Sequence, residues 1–193
     1  MAATSAPFGL KPIKLIGNRP YSGSTNQYPI ASGYAADLFT GDIVSIVTAG
    51  TIQKVTTLGT AASQFPAGTV GVFVGCSYTN PTTKQPTFSQ QWPTGTVASD
   101  ALAYVVDDPS VIFLAQANGA LAQTALGSNI GVVQTAGSST TGLSKVTLDT
   151  TTLAVTATVG LRVVGFDTTV GNTVGDAYTN AYVIFNPGAN HFF

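Results

Sequence analysis

This sequence has no glutamate, and only one cysteine, one histidine, one tryptophan and one methionine in 193 residues. Charged residues make up 8% of it, against roughly a quarter of an ordinary soluble domain. Each scarcity excludes something. Lys, Glu and Arg are the usual fillers of exposed helix faces, so a chain this poor in them builds few solvent-facing helices. A lone Cys76 excludes an internal disulfide and a cysteine-based zinc cluster; in Val-Gly-Cys-Ser it reads as a small buried apolar residue. A net charge of −1, with only Lys11, Lys14 and Arg19 close together, leaves no electrostatic footprint for nucleic acid. No window approaches about 18 consecutive apolar residues, so no membrane span is expected. The opening Met1-Ala-Ala-Thr-Ser-Ala-Pro lacks the basic and apolar regions of a secretory signal.

The chemistry that remains is thin. His191, in Asn-His-Phe-Phe, is the sole imidazole, and no Ser stands in a Gly-x-Ser-x-Gly elbow to use it. Asp107-Asp108 is the one adjacent carboxylate pair. On a strand the two would point to opposite faces, and before Pro109 they read as a turn cap rather than an acid/base pair. The spacing of a calcium loop is missing, as is a Gly-x-Gly-x-x-Gly phosphate cradle. Asp42 and Asp176 read as turn formers or as partners for Lys54 and Arg162. The expectation is therefore no catalytic residues, no cofactor and no metal, and a protein that is not an enzyme.

What the chain does have is 29 Thr and many short apolar runs separated by turn residues. β-Branched residues suit pleated, half-buried surfaces. Ile43–Thr48 and Thr51–Thr57 flank Ala49-Gly50 as a hairpin, and Thr69–Gly75 is a further strand. Asn80–Pro93, with its Asn-Pro, Lys-Gln-Pro and Trp-Pro pairs, reads as a loop. Leu102–Val106 and Val111–Gln116 are strands on either side of an Asp-Asp-Pro-Ser turn. Ile130–Gln134, Leu143–Leu148, Val159–Phe166 and Ala177–Asn186 complete the set. One two-turn helix is expected over Asn118–Gly127, capped by Asn118 and stopped by Gly127. Gly recurs in Thr69–Gly75 and Thr158–Gly165, where a strand must bend or approach another backbone closely.

Residues 1–33 differ from the rest, with four prolines and three of the seven basic residues. They read as an extended N-terminal arm laid on a neighbour; an edge strand with loops, or a disordered tail, are the alternatives. Residues 34–193 read as a β-rich body with a short C-terminal tail. The expected fold is all-β, a single β-barrel or jelly-roll-like body with at most one short helix. Trp92, in Gln-Gln-Trp-Pro, is a candidate interface or glycan-stacking residue, the alternative being a plug over the core. Phe192 and Phe193 are apolar rings that dock on something.

Several segments together resemble a known family. They are Asp108-Pro-Ser-Val-Ile-Phe-Leu-Ala-Gln-Ala-Asn-Gly119, Ala125-Leu-Gly-Ser-Asn-Ile-Gly131 and Ser138-Ser-Thr-Thr-Gly-Leu-Ser-Lys-Val-Thr-Leu-Asp149. Leu161-Arg-Val-Val-Gly-Phe-Asp167 and Val174-Gly-Asp-Ala-Tyr-Thr-Asn-Ala-Tyr-Val-Ile-Phe-Asn186 follow in order. With Gly9-Leu-Lys-Pro-Ile-Lys14 and Ala36-Asp-Leu-Phe-Thr-Gly-Asp-Ile-Val44, they are similar to the capsid decoration, or cement, proteins of tailed bacteriophages, common in phages of marine and cyanobacterial hosts. The resemblance spans about residues 9 to 187; Asn80–Pro93 and the terminal His-Phe-Phe do not map.

The resemblance implies a virion structural protein on the capsid surface, a homotrimer that bridges major capsid protein subunits. A glycan-binding phage surface or tail domain, stacking sugars on Trp92 and Tyr78, is the alternative. The residues expected at the capsid or subunit interface are Phe8, Lys11, Lys14, Arg19, Tyr21, Trp92, Phe192 and Phe193. Neither nucleic acid nor membrane is an expected partner.

Overall fold

The structure, a computed structural model, describes residues 4–186, and they form strands joined by turns. The N-terminal segment supplies β1 (Lys11–Leu15), β2 (Arg19–Pro20) and β3 (Asn26–Pro29). Next come β4 (Leu38–Phe39), β5 (Ile43–Ile46), β6 (Ile52–Lys54) and the long β7 (Thr69–Thr79). β8 (Pro86–Ser89), β9 (Gln91–Trp92), β10 (Leu102–Val106) and β11 (Val111–Gln116) follow. β12 (Asn129–Val133), β13 (Thr147–Ala154), β14 (Leu161–Phe166) and β15 (Asn180–Phe185) end the described chain.

The strands make two main sheets, in which every pairing is antiparallel. One has the spatial order β13, β12, β14, β15, β11, β1, β2; the other runs β3, β10, β7, β5, β6, with β8 also on β7. β4 and β9 form a separate two-stranded ribbon. Both sheets curl far enough for distant strands to meet. Ile30, next after β3, makes a parallel bridge to Ile52 of β6, and Ala117, next after β11, makes one to Leu148 of β13. The body is thus all-β and barrel-like, as expected, and each of its two curled sheets has its own core.

The wall between the cores is the β5–β7–β10 part of the second sheet, and alternation along these strands sorts their side chains. Ile43, Val72 and Val106 face the first core, with Leu10, Phe113, Leu161 and Phe185. Their neighbours Val44, Phe73 and Val105 face the second, with Ile30, Ile52 and Trp92. With both faces covered, β7 reads as a nearly continuous apolar run rather than an alternating one. Its register slips opposite Val44 and Ser45, leaving Val70 as an extra residue that turns into the second core. Phe113 and Phe185 meet edge-on, with centroids 5.7 Å apart, and burying one such ring contributes about 2–3 kcal/mol. The chain crosses between sheets at Asp107–Ser110, where Asp108 Oδ1 accepts the Ser110 N–H at 2.7 Å.

Most strand expectations match the structure; one strand, one loop and one helix differ from it. The stretch Asn80–Pro93 is not a plain loop. Beyond β5 the edge of β7 is open, and Pro86–Ser89 pairs there, with Pro86 at the strand start where its missing N–H costs least. The expected helix over Asn118–Gly127 shrinks to one 3-10 turn, Gln123–Ala125, with no side-chain cap. Asn118 Oδ1 is already taken by the Thr150 N–H and hydroxyl, and the Leu121 N–H by Thr179 Oγ1, so neither serves a helix. The strand expected at Leu143–Leu148 lies at Thr147–Ala154, because Thr40 bridges Leu143 and draws it out of the sheet.

The described part of the 1–33 segment is extended and sewn to the body. β1 pairs with β11 along Lys11–Leu15, and β3 pairs with β10 along Asn26–Pro29. Leu10 and Ile30 reach the two cores. A glycine is required just before, because Gly9 has φ +73° and a Cβ there would lie 2.6 Å from that of Ser144.

Candidate interaction surface

The start of β1 borders an apolar depression. The Gln116 side chain clamps the chain leading into it, accepting the Ala6 N–H at 2.7 Å and donating to the Thr4 carbonyl at 3.2 Å. Leu10 N–H then bonds the Gly41 carbonyl, and Thr40 bridges Leu143. These contacts leave a groove of about 420 Å³ lined by Phe8, Leu10, Lys11, Pro12, Thr40, Leu114 and Leu143. A second hollow, about 640 Å³, continues from it along Ser5–Phe8, Ser138, Thr141, Leu143 and Lys145. Phe8 and Leu143 belong to both.

Next to the groove is a buried ionic knot. Asp42 is fully buried. Its Oδ2 accepts the Phe39 N–H at 2.9 Å and the Lys54 ammonium at 2.8 Å, and its Oδ1 accepts the Ser144 hydroxyl at 2.6 Å. The expected Asp42–Lys54 pairing is thus found. The other expected pairing is not: Arg162 donates to the Gly127 carbonyl, and Asp176 accepts the Thr173 N–H as a turn former.

The sequence-derived interface residues separate into groups. Phe8 and Lys11 come together on the groove. Lys14 sits with its ammonium 5.0 Å from the centre of the Tyr182 ring and donates to Asn18 Oδ1. Arg19 is exposed on β2. Tyr21 donates to the Ser24 carbonyl; burial, then the charges of Asp107 and Asp108, push its phenol up. Trp92 is not a surface residue: it is 0% exposed, in the second core, with Tyr78 edge-on at 5.3 Å. Pairing of Leu38 with Trp92 turns the indole inward, so the plug alternative is the one realised. Phe192 and Phe193, like His191, lie outside the described residues.

The carboxylates act as local acceptors. Asp107 Oδ2 accepts from Asn26 Nδ2 and the Tyr28 hydroxyl, each at 2.7 Å; burial, then the bond to Asp107 and its charge, push the Tyr28 phenol up to about 12. Asp100 takes the Thr79 N–H and hydroxyl, which hold its carboxyl below the usual range. No group of three or more His, Cys, Asp or Glu side chains converges among the described residues. Burial pushes the Cys76 thiol up to about 12, and its sulfur donates to the Gln91 carbonyl.

Sequence reasoning missed the apolar side chains that face water. Val155 is 93% exposed and Phe88 76%, with Val97, Ile16 and Val170 also open. Phe88 stands between Thr87 and Ser89 on a short strand, and that alternation was the available signal. No protein-family model matches the chain, and neither a curated protein nor a solved structure shows significant similarity to it.

Proposed function

We propose that this chain is a virion structural protein that decorates a bacteriophage capsid from outside and cements it, bridging major capsid protein subunits as a homotrimer. The observation that carries the reading is the surface. One ion pair, Asp42–Lys54, joins the described residues, and the exterior is Thr-rich with apolar side chains such as Val155 and Phe88 left open. Short β-branched side chains lose less rotamer entropy on burial than Lys or Glu, so such a surface is well suited to being held against a protein shell. Three copies acting together gain avidity of roughly 10²- to 10⁴-fold from contacts that are individually weak. The sequence resemblance to capsid decoration proteins supports the same reading.

The glycan-binding alternative loses its support, because Trp92 and Tyr78, its stacking rings, are buried against each other. Imaging of purified virions from the phage that encodes the chain tests the proposal. The expected result is β-rich density on the outer shell at or between capsomers, into which three copies fit. Particles that lack the protein, or carry it only on the tail, overturn the reading.

A further inference from the structure

We propose that the two-lobed groove at the start of β1 is a docking site for a partner peptide that carries two bulky apolar side chains and a carboxylate between them. The inference rests on the reading of this chain as an interaction protein and specifies the chemistry of its partner.

The lining sets the apolar part. Phe8, Leu10, Pro12, Leu114 and Leu143 face the hollows, and the two lobes measure about 420 and 640 Å³. The walls are fixed beforehand by the Gln116 clamp, by Gly9 against Ser144, and by the Thr40–Leu143 bridge. A preformed groove saves the ordering cost that weakens flexible sites. Two lobes that meet at the Phe8 ring suit a peptide with two bulky apolar side chains.

Charge sets the polar part. Lys11 belongs to one lobe and Lys145 to the other, and no acidic residue lines either. Both lysines are exposed, and neither ammonium has an ion pair or hydrogen bond among the described residues. Lys14 and Lys54, by contrast, are engaged with Asn18 and Asp42. The nearby Asp42 is already neutralised by Lys54, so the lobes face a partner with unopposed positive charge. A carboxylate flanked by apolar groups complements both features.

The test is a titration of the isotope-labelled full chain, followed by methyl resonances, with three acetylated and amidated tripeptides: Phe-Asp-Phe, Phe-Asn-Phe and Phe-Lys-Phe. Decanoate is a fourth probe. The expected result is that Phe-Asp-Phe shifts the Leu10, Leu114 and Leu143 methyls and that Phe-Lys-Phe binds about tenfold more weakly, the scale of two exposed charge contacts. A Lys11→Glu, Lys145→Glu double variant, altered only at exposed positions, should fold normally and reverse that order. Absence of shifts at these methyls at a few millimolar peptide overturns the site, and equal binding of all three peptides overturns its charge preference. Decanoate binding with silent peptides assigns the groove to an acyl chain instead. Self-association of the wild type that the double variant loses assigns it to a second copy. A virion without the protein would sink the decoration reading and leave a peptide-binding groove standing; a decorated virion with a silent groove sinks this inference alone.

Discussion

Asp42 accepts a 2.6 Å hydrogen bond from Ser144, 102 positions along the chain, while its other oxygen holds Lys54 at 2.8 Å. One buried carboxylate therefore ties the β5–β6 hairpin to the 138–146 connection. The same Ser144 oxygen accepts the Val146 N–H, so the knot also fixes the chain entering β13.

Breaking one side of that knot should be costly. Lys54→Met leaves a buried carboxylate without its counter-charge, a defect worth about 3 kcal/mol, at the low end of the usual range because Lys54 keeps some solvent contact. Adding Asp42→Asn removes the stranded charge and retains an acceptor, so the double variant should recover part of the loss. Urea unfolding midpoints of both variants measure this. Equal stability of single and double variants would show that Asp42 is not held as an uncompensated ion.

Trp92 is the one indole in the chain, and its burial is directly readable. Native emission should be blue-shifted and shielded from acrylamide, moving red only on unfolding. Trp92→Ala should cost about 3–5 kcal/mol through the cavity it leaves. Trp92→Phe should cost much less, because the indole N–H has no partner and nothing polar is orphaned by its removal. Red-shifted, freely quenched native emission would put the side chain back on the surface.

Much of the strand pattern was legible because it rests on local alternation and turn chemistry. Leu102–Val106 and Val111–Gln116 fall where the apolar runs and the Asp-Asp-Pro-Ser turn place them. The glycine signal in Thr69–Gly75 was legible too: a Cβ on Gly71 would strike the Val106 carbonyl, the close backbone approach that glycine signals. What escaped depends on partners far away in sequence. Pro86–Ser89 is a strand only because β7 leaves an edge open beyond β5. Asn118 fails as a helix cap because Thr150 claims its side-chain Oδ1. The groove was half legible: Phe8 and Lys11 carried a signal of composition, whereas Leu114, Leu143 and Lys145 join them through tertiary contacts alone.

Stability should fall on the alkaline side. The Tyr28 phenol rises from 10.0 to about 12 and the Cys76 thiol from 9.0 to about 12. A folded-state value above the unfolded one means that the native state holds its proton more tightly. The resulting stability is complete below about pH 9 and is lost as pH climbs through the 9–12 window. Thermal midpoints across that window should decline, and Tyr28→Phe should flatten the part above pH 10. A midpoint that is level from pH 8 to 12 would contradict both assignments. The same burial predicts that Cys76 resists a thiol reagent at pH 8 until denaturant is added.

Deleting residues 1–33 should do more than remove an appendage. It takes β1 away from β11, leaving the Val111–Leu114 edge unpaired, and it takes β3 away from β10. It also empties the places of Leu10 in the first core and Ile30 in the second, and it removes the Ile30–Ile52 bridge that closes the second sheet. Each lost side chain is worth about 2–5 kcal/mol by analogy with buried truncations, and the total stability of a domain is about 5–15 kcal/mol. The shortened chain should therefore lose cooperative unfolding and amide dispersion, both visible by circular dichroism and heteronuclear NMR. Arg19→Ala, which alters an exposed position on β2, should leave both unchanged. A deletion variant that unfolds as sharply as the full chain would show that the N-terminal strands add nothing to the body's stability.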